Sequence, residues 1–195
     1  MNKILDVDLL AFERGSGEQR RAVVDGVRRS LTTGFVYTRH DLSEDMLDTA
    51  YGMLKEFFEH PQEVKQSFIA PDSHGQTGYT GLLVETAASS DVPDWKEMLN
   101  WGISLSEGHP LRARYPHRYG PQVLPEAAVP GITEVLNTFH KKVEDVQRRF
   151  LRIIAEGLGC HESFFDEMTT NGATLTRAIR YPSMQHAPQG GHVWA

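Results

Sequence analysis

The chain has 195 residues, of which 39% are hydrophobic and 24% charged, with a net charge of −6. That is an ordinary globular mixture, and about 100–200 residues suffice to bury a sizeable core in one domain. No apolar run approaches the roughly 20 residues that span a bilayer, and Met1-Asn2-Lys3-Ile4-Leu5-Asp6 lacks the long apolar stretch of a signal peptide. An acidic balance without a dense Lys/Arg patch between aromatics argues against nucleic acid as a partner. The one cysteine, Cys160, cannot form an internal disulfide, so a cytoplasmic location is expected.

Residues 4–12 mix Ile, Val, Leu and Phe with Asp6 and Asp8, and are expected to form a short edge strand. Gly15-Ser16-Gly17 breaks that pattern, and Ser16 is the expected N-cap of a helix striped with Val23, Val24, Val27 and Leu31. Arg20, Arg21, Arg28 and Arg29 flank the stripe as a basic, solvated face. Gly34 ends the helix, and a second short strand is expected at 34–38. Ser43, with Glu44 and Asp45 following, caps a helix through Met46, Leu47, Ala50, Met53, Leu54, Phe57 and Phe58, whose apolar stripe belongs to the core. His60-Pro61 stops it, and Pro61 takes the first position of another short helix.

Residues 70–93 are rich in Gly, Ser, Thr, Asp and Pro and read as a long functional loop. The glycines of Gly75-Gln76-Thr77-Gly78 are too few and wrongly spaced to cradle a phosphate. Residues 96–103 alternate as a strand, whereas five prolines within 107–130 predict irregular structure. Ile132, Val135, Leu136, Phe139, Val143, Val146, Phe150, Ile153, Ile154 and Leu158 recur at spacings of three and four, predicting a long amphipathic helix closed by Gly159. His161–Met168 reads as a short helix with Phe164 and Phe165 turned inward, and Thr174–Tyr181 as a half-buried strand. Alone, this order supports an α+β domain.

Nine histidines prompt a search for a metal site. A mononuclear iron centre of the two-His-one-carboxylate kind needs three ligands on one face, and His-x-Asp or His-x-Glu on a strand supplies two of them. No histidine here has Asp or Glu two residues later. Asp72-Ser73-His74 carries the reversed order and His60…Glu63 a helical spacing, and both read as surface. His186 and His192 have no acidic neighbour, and one cysteine cannot build a thiolate cluster. Cys160 reads as a small buried or half-buried hydrophobe. There is no Gly-x-Ser-x-Gly elbow. Composition and spacing therefore supply no complete active site.

Several segments, taken in order, resemble one family. They are Gly34-Phe35-Val36-Tyr37, Phe57-Phe58-Glu59-His60-Pro61-Gln62-Glu63-Val64-Lys65, Gly78-Tyr79, Asp94-Trp95-Lys96-Glu97, the long helix ending at Gly157-Leu158-Gly159, and Ile179-Arg180-Tyr181-Pro182. The family is the isopenicillin N synthase-like branch of the non-haem Fe(II), 2-oxoglutarate-dependent dioxygenases. The resemblance implies an α+β fold in which residues 1–170 form the N-terminal helical layer, with short strands near 4–12, 34–38 and 96–103. Residues 171–195 would begin a double-stranded β-helix, or jelly roll, incomplete as given.

It further implies an oxidoreductase that uses Fe(II), 2-oxoglutarate and O₂ to hydroxylate, desaturate or cyclise a small molecule, with neither nucleic acid nor membrane as partner. In the family, iron is held by a His-x-Asp pair and a distal His, and a later Arg-x-Ser binds the co-substrate. On the resemblance all of these follow Ala195, so no residue is assigned as catalytic or as a metal ligand. The chain as given is expected to be inactive and to hold neither Fe(II) nor 2-oxoglutarate alone. Tyr181 is expected to bind a 2-oxoglutarate or substrate carboxylate, its hydroxyl being a neutral donor. Gln76, roughly where an isopenicillin N synthase has a substrate-binding Arg, and Tyr79 are expected to bind substrate. The alternative is a non-catalytic fragment or interaction module. An unfinished jelly roll leaves strand edges and an apolar face, to be covered by self-association or by a missing C-terminal portion.

Overall fold

The structure is a computed structural model that describes residues 4–73, 75–88, 91–183 and 185. The expectations for His74, His186, His192 and the stretch to Ala195 fall outside the described residues. The chain divides into two compact units, one drawn from Met1–Glu44 and Lys141–Gly172, the other from Asp45–His140 and Ala173–Ala195.

In the first unit, strand β1 (Asp6–Asp8) gives way at once to helix α1 (Leu9–Arg14). The cause is Asp8, whose carboxylate accepts from the amides of Leu10 and Ala11 at 2.8 and 3.1 Å and starts the helix inside the stretch expected to be strand. Ser16 caps helix α2 (Gly17–Ser30) in a reciprocal capping box with Gln19. A 3₁₀ turn at Leu31–Thr33 follows, and Gly34, at φ 81°, turns the chain into β2 (Tyr37–Arg39), which pairs parallel with β1. Val7, Leu9, Phe12, Val23, Val27 and Ile153 form the core of this unit.

Arginine pairs surround that core. Arg20 lies 3.9 Å over the Phe12 ring and pairs with Glu156 and Glu162, so it is not the solvated residue expected, although Arg21, Arg28 and Arg29 are exposed. Arg149 holds Glu13 at 2.6 Å and Asp41 at 2.8 Å, and Arg152 holds Asp166 at 2.7 Å.

The second unit contains helices α3 (Glu44–Glu59, from Asp45 onward) and α4 (Gln62–Gln66), and strands β3 (Gly78–Thr80) and β4 (Glu97–Gly102). It also holds α5 (Pro110–Arg114), the first part of the long helix α6 (Ile132–Gly157) and strand β5 (Leu175–Arg180). Pro61 is the N-cap of α4 rather than its first helical residue. The three strands form an antiparallel sheet ordered β3-β4-β5.

Strand β3 lies within the stretch read as loop, because three residues are too few to show alternation. It begins at Gly78, where φ is 84° and a Cβ would lie 2.6 Å from the Phe68 carbonyl oxygen, so only glycine fits. All six residues of β4 are buried. Its Leu99 and Trp101 join Ala50, Leu54, Phe57, Phe58, Tyr79, Val129, Ile132 and Leu136 in the core, and Trp101 Nε1 donates to the Leu136 carbonyl at 3.0 Å.

Helix α6 closes with paired bonds from Gly159 N–H to Glu156 O and from Cys160 N–H to Ala155 O, with Gly159 at φ 77°. That is the Schellman arrangement the glycine predicts. The next helix beyond it is α7 (Asp166–Thr169). Phe164 therefore sits in a turn rather than on a helix face. It is 47% exposed, edge-on to Phe165, and does not turn inward as expected.

Candidate functional site

Strand alternation places Glu97 on the same face of β4 as Leu99 and Trp101, inside the core, where an unpaired carboxylate would be prohibitive. Glu97 is fully buried and fully engaged. Lys65 of α4 donates to its Oε2 at 2.6 Å, Tyr79 Oη donates to the same oxygen at 2.5 Å, and Arg180 Nη1 donates to Oε1 at 2.7 Å. Arg180 arrives by register, being the partner of Glu97 across the β4–β5 ladder. Both cations also donate to the Phe58 carbonyl near the end of α3, at 3.1 and 2.8 Å. Gln62 shares a longer bond with Tyr79 Oη. Burial first, and then the hydrogen bond to Glu97, push the Tyr79 hydroxyl well above the usual phenol range.

This cluster fixes the end of β5, and Tyr181 is the next residue. Tyr181 is 38% exposed and lines a cavity of about 550 Å³ together with Leu54, Phe58, Trp101 and Phe139. Gln76 lines a different cavity of about 370 Å³, beside Asp72, His117 and Arg118, and its side-chain oxygen accepts from Arg118 Nη1 at 3.3 Å. Tyr79 is 3% exposed, with its hydroxyl held in the buried cluster, and it borders a third cavity of about 310 Å³. The three residues singled out in the sequence are thus not brought together around one point.

Along β5, Thr176, Ala178 and Arg180 are half-buried, whereas Leu175, Arg177, Ile179 and then Tyr181 are each more than a third exposed. Thr176 and Thr174 hold the ring nitrogens of buried His140, with Thr176 Oγ1 2.7 Å from Nδ1 and Thr174 Oγ1 3.2 Å from Nε2. On the exposed side, Arg177 Nε donates to Asn100 Oδ1 at 3.0 Å. Neither this pair nor the Glu97 cluster is visible in the sequence. Lys65, Glu97 and Arg180 do lie in segments that carry the family resemblance, but nothing local signals that they meet.

Among the described residues no group of three or more His, Cys, Asp or Glu side chains is placed to hold a metal ion. Nor does a single tyrosine hydroxyl make a site for a dicarboxylate, which needs donors at both ends. The described residues by themselves do not fit iron or 2-oxoglutarate. No helix among them is long and apolar enough to cross a membrane.

A helical layer joined to a small antiparallel sheet is the architecture shared with the 2-oxoglutarate/Fe(II) oxygenases. A Caulobacter crescentus structure described as a 2OG-Fe(II) oxygenase family protein superposes with a TM-score of 0.80 at 25% identity, covering 96% of this chain and 59% of its own. A full-length Neurospora crassa protein in complex with alpha-KG superposes with a TM-score of 0.74 at 21% identity, covering 91% and 54%. The described residues thus have the α+β fold of part of these jelly-roll oxygenases.

Residues 4–127 match the family described as non-haem dioxygenase in morphine synthesis, N-terminal, and the chain belongs to that dioxygenase family. It is 27% identical over 182 residues to the 2-oxoglutarate-Fe(II) type oxidoreductase hxnY of Emericella nidulans, covering 91% of this chain and 52% of that protein. It is 27% identical over 180 residues to mugineic-acid 3-dioxygenase of Hordeum vulgare, covering 91% and 48%. The chain spans about half the length of the curated relatives it matches.

Proposed function

We propose that this chain is part of an oxidoreductase that depends on Fe(II) and 2-oxoglutarate and uses O₂ to hydroxylate, desaturate or cyclise a small molecule. The observation that carries this reading is the family match over residues 4–127, continued by the Ile179-Arg180-Tyr181-Pro182 segment at the end of β5. Iron, when bound to the whole protein, would supply the oxidising chemistry, and its ligands are assigned to no described residue. The role of this chain is to bind and orient. Tyr181 donates its hydroxyl to a carboxylate of the co-substrate or substrate. The Glu97 cluster, by holding Arg180, keeps Tyr181 in place at its cavity. Gln76, with Arg118, and the ring of Tyr79 shape cavities through which the 70–93 segment admits substrate. The protein is placed in the cytoplasm, with neither nucleic acid nor membrane as partner, and the exposed side of β5 is covered by a C-terminal portion or by a second copy.

Incubating the full gene product with Fe(II), 2-oxoglutarate and O₂ is expected to yield succinate, with or without substrate. Tyr181→Phe is expected to raise KM for 2-oxoglutarate more than it lowers kcat. Absence of any succinate overturns the reading. The alternative is a non-catalytic fragment or interaction module lacking the iron site. Tight stoichiometric Fe(II) binding by residues 1–195 would sink that alternative.

A further inference from the structure

We infer that the cavity between residues 70–77 and 116–123 binds an α-amino acid with an apolar side chain, as its zwitterion. The cavity holds about 370 Å³, at the small end of the roughly 300–1,000 Å³ usual for small-molecule sites. It stands apart from the cavity at Tyr181. Gln122, on its wall, accepts from the Gly102 N–H at 2.8 Å, and Gly102 pairs with Leu175 of β5. Leu175 lies six residues before Tyr181, about 20 Å along the strand.

Two opposite charges border this cavity without meeting. Asp72 and Arg118 both line it, and both are exposed. Among the described residues the Asp72 carboxylate has no hydrogen bond or ion pair, and the Arg118 guanidinium has one bond, from Nη1 to Gln76 Oε1 at 3.3 Å. Elsewhere the arginines beside carboxylates pair with them, as Arg149 does with Glu13 and Arg152 with Asp166. A ligand that carries both charges answers both, its ammonium at Asp72 and its carboxylate at Arg118. A simple acid brings like charge to Asp72, and a simple amine brings it to Arg118. Because a guanidinium only donates, its bond takes the amide oxygen of Gln76 and leaves the amide nitrogen as a further donor for the carboxylate.

The walls suit the rest of the molecule. Pro71, Pro116, Pro121 and Val123 line the cavity with apolar atoms, and the proline rings stiffen the backbone that carries them. The two walls are also stitched together. The buried Thr77 hydroxyl accepts from the Val123 N–H at 2.8 Å, and Ser73 Oγ donates to the Thr77 carbonyl at 3.1 Å. The cavity is therefore built before a ligand arrives, which spares the ordering cost of binding. That this amino acid is the molecule on which the protein acts rests on the proposed function. That the cavity binds it does not.

The test is calorimetric titration of the full gene product, without Fe(II) or 2-oxoglutarate, using L-leucine, 4-methylpentanoate and 3-methylbutylamine. The second lacks the ammonium and the third the carboxylate, with the side chain unchanged. L-leucine is expected to bind saturably, and each of the others at least about tenfold more weakly, the loss of one charge-assisted bond. Asp72→Asn and Arg118→Gln, both at exposed positions, are each expected to weaken L-leucine by a similar factor, with circular dichroism unchanged. Asp72→Asn should spare 4-methylpentanoate, which has no ammonium to lose, and Arg118→Gln should spare 3-methylbutylamine. Tyr181→Phe is expected to leave the L-leucine affinity as it was. Equal binding of the three molecules, no loss in either charge variant, a loss in Tyr181→Phe, or no saturable heat at about 10 mM L-leucine would each overturn the site. L-leucine binding without succinate formation by the full product would retain the site and remove the dioxygenase reading. Succinate formation without L-leucine binding would do the reverse.

Discussion

The two units use charge in opposite ways. In the first, a small aliphatic core is ringed by arginine–carboxylate pairs that keep contact with water, such as Arg20 with Glu156 and Arg152 with Asp166. In the second, an aromatic-rich core surrounds a carboxylate, Glu97, that has lost all contact with water and answers to two cations and a phenol. The same pairing of opposite charges is worth little in the first setting, because solvent screens it, and is unforgiving in the second. The contrast shows where the molecule tolerates change and where it does not.

The largest expected effect is at the buried centre. Glu97→Ala leaves Lys65 and Arg180 without their counter-ion, and should lower stability by about 3–5 kcal/mol, read from the urea midpoint. Next comes Gly78→Ala, which forces a side chain into the left-handed region and against the Phe68 carbonyl. A loss of roughly 2 kcal/mol or more is expected in the same measurement.

The pH response should separate the units. The Arg149 hydrogen bond to Asp41, and that of Arg152 to Asp166, hold these carboxyls below their usual range. Their contribution is thus complete above about pH 4 and is lost as the pH falls through the depressed values. The Tyr79 hydroxyl is raised instead, so its contribution is complete below about pH 10 and is lost in stronger alkali. Acid titration followed at first-unit resonances, and alkaline titration followed at second-unit resonances, would check this, and loss of both units together at either end would break the comparison. Arg149→Gln, which releases Glu13 and Asp41 at a partly exposed site, should cost roughly 1 kcal/mol. Arg39→Ala, whose pair with Asp6 lies in water, should leave the midpoint unmoved.

What the sequence discloses follows from range. Periodicity exposes helices, and α3 and α6 stand where their apolar spacing puts them, with Gly159 as the stop. Caps are legible when they act within three residues, as at Ser16. Asp8 is the exception, because its neighbours are as apolar as those of a strand. Strand β3 is too short to show a period. The Glu97 cluster joins residues 32 and 83 positions apart, and the Asn100–Arg177 pair spans 77, so only the sheet register could reveal them. The family motifs bring most of these residues to notice without saying what they touch.

The carbonyl of Phe58 carries a further consequence. It is one of the last acceptors of α3, and it is satisfied by Lys65 from the next helix and Arg180 from the far strand. The end of α3 is therefore tied to β5 rather than free to fray, as helix ends usually are. Amide hydrogens of that last turn, His60 N–H among them, are expected to exchange with solvent more slowly than those of a frayed helix end. The helix terminus and the strand thus share one anchor, so a change that loosens either is felt at the segment leading to Tyr181.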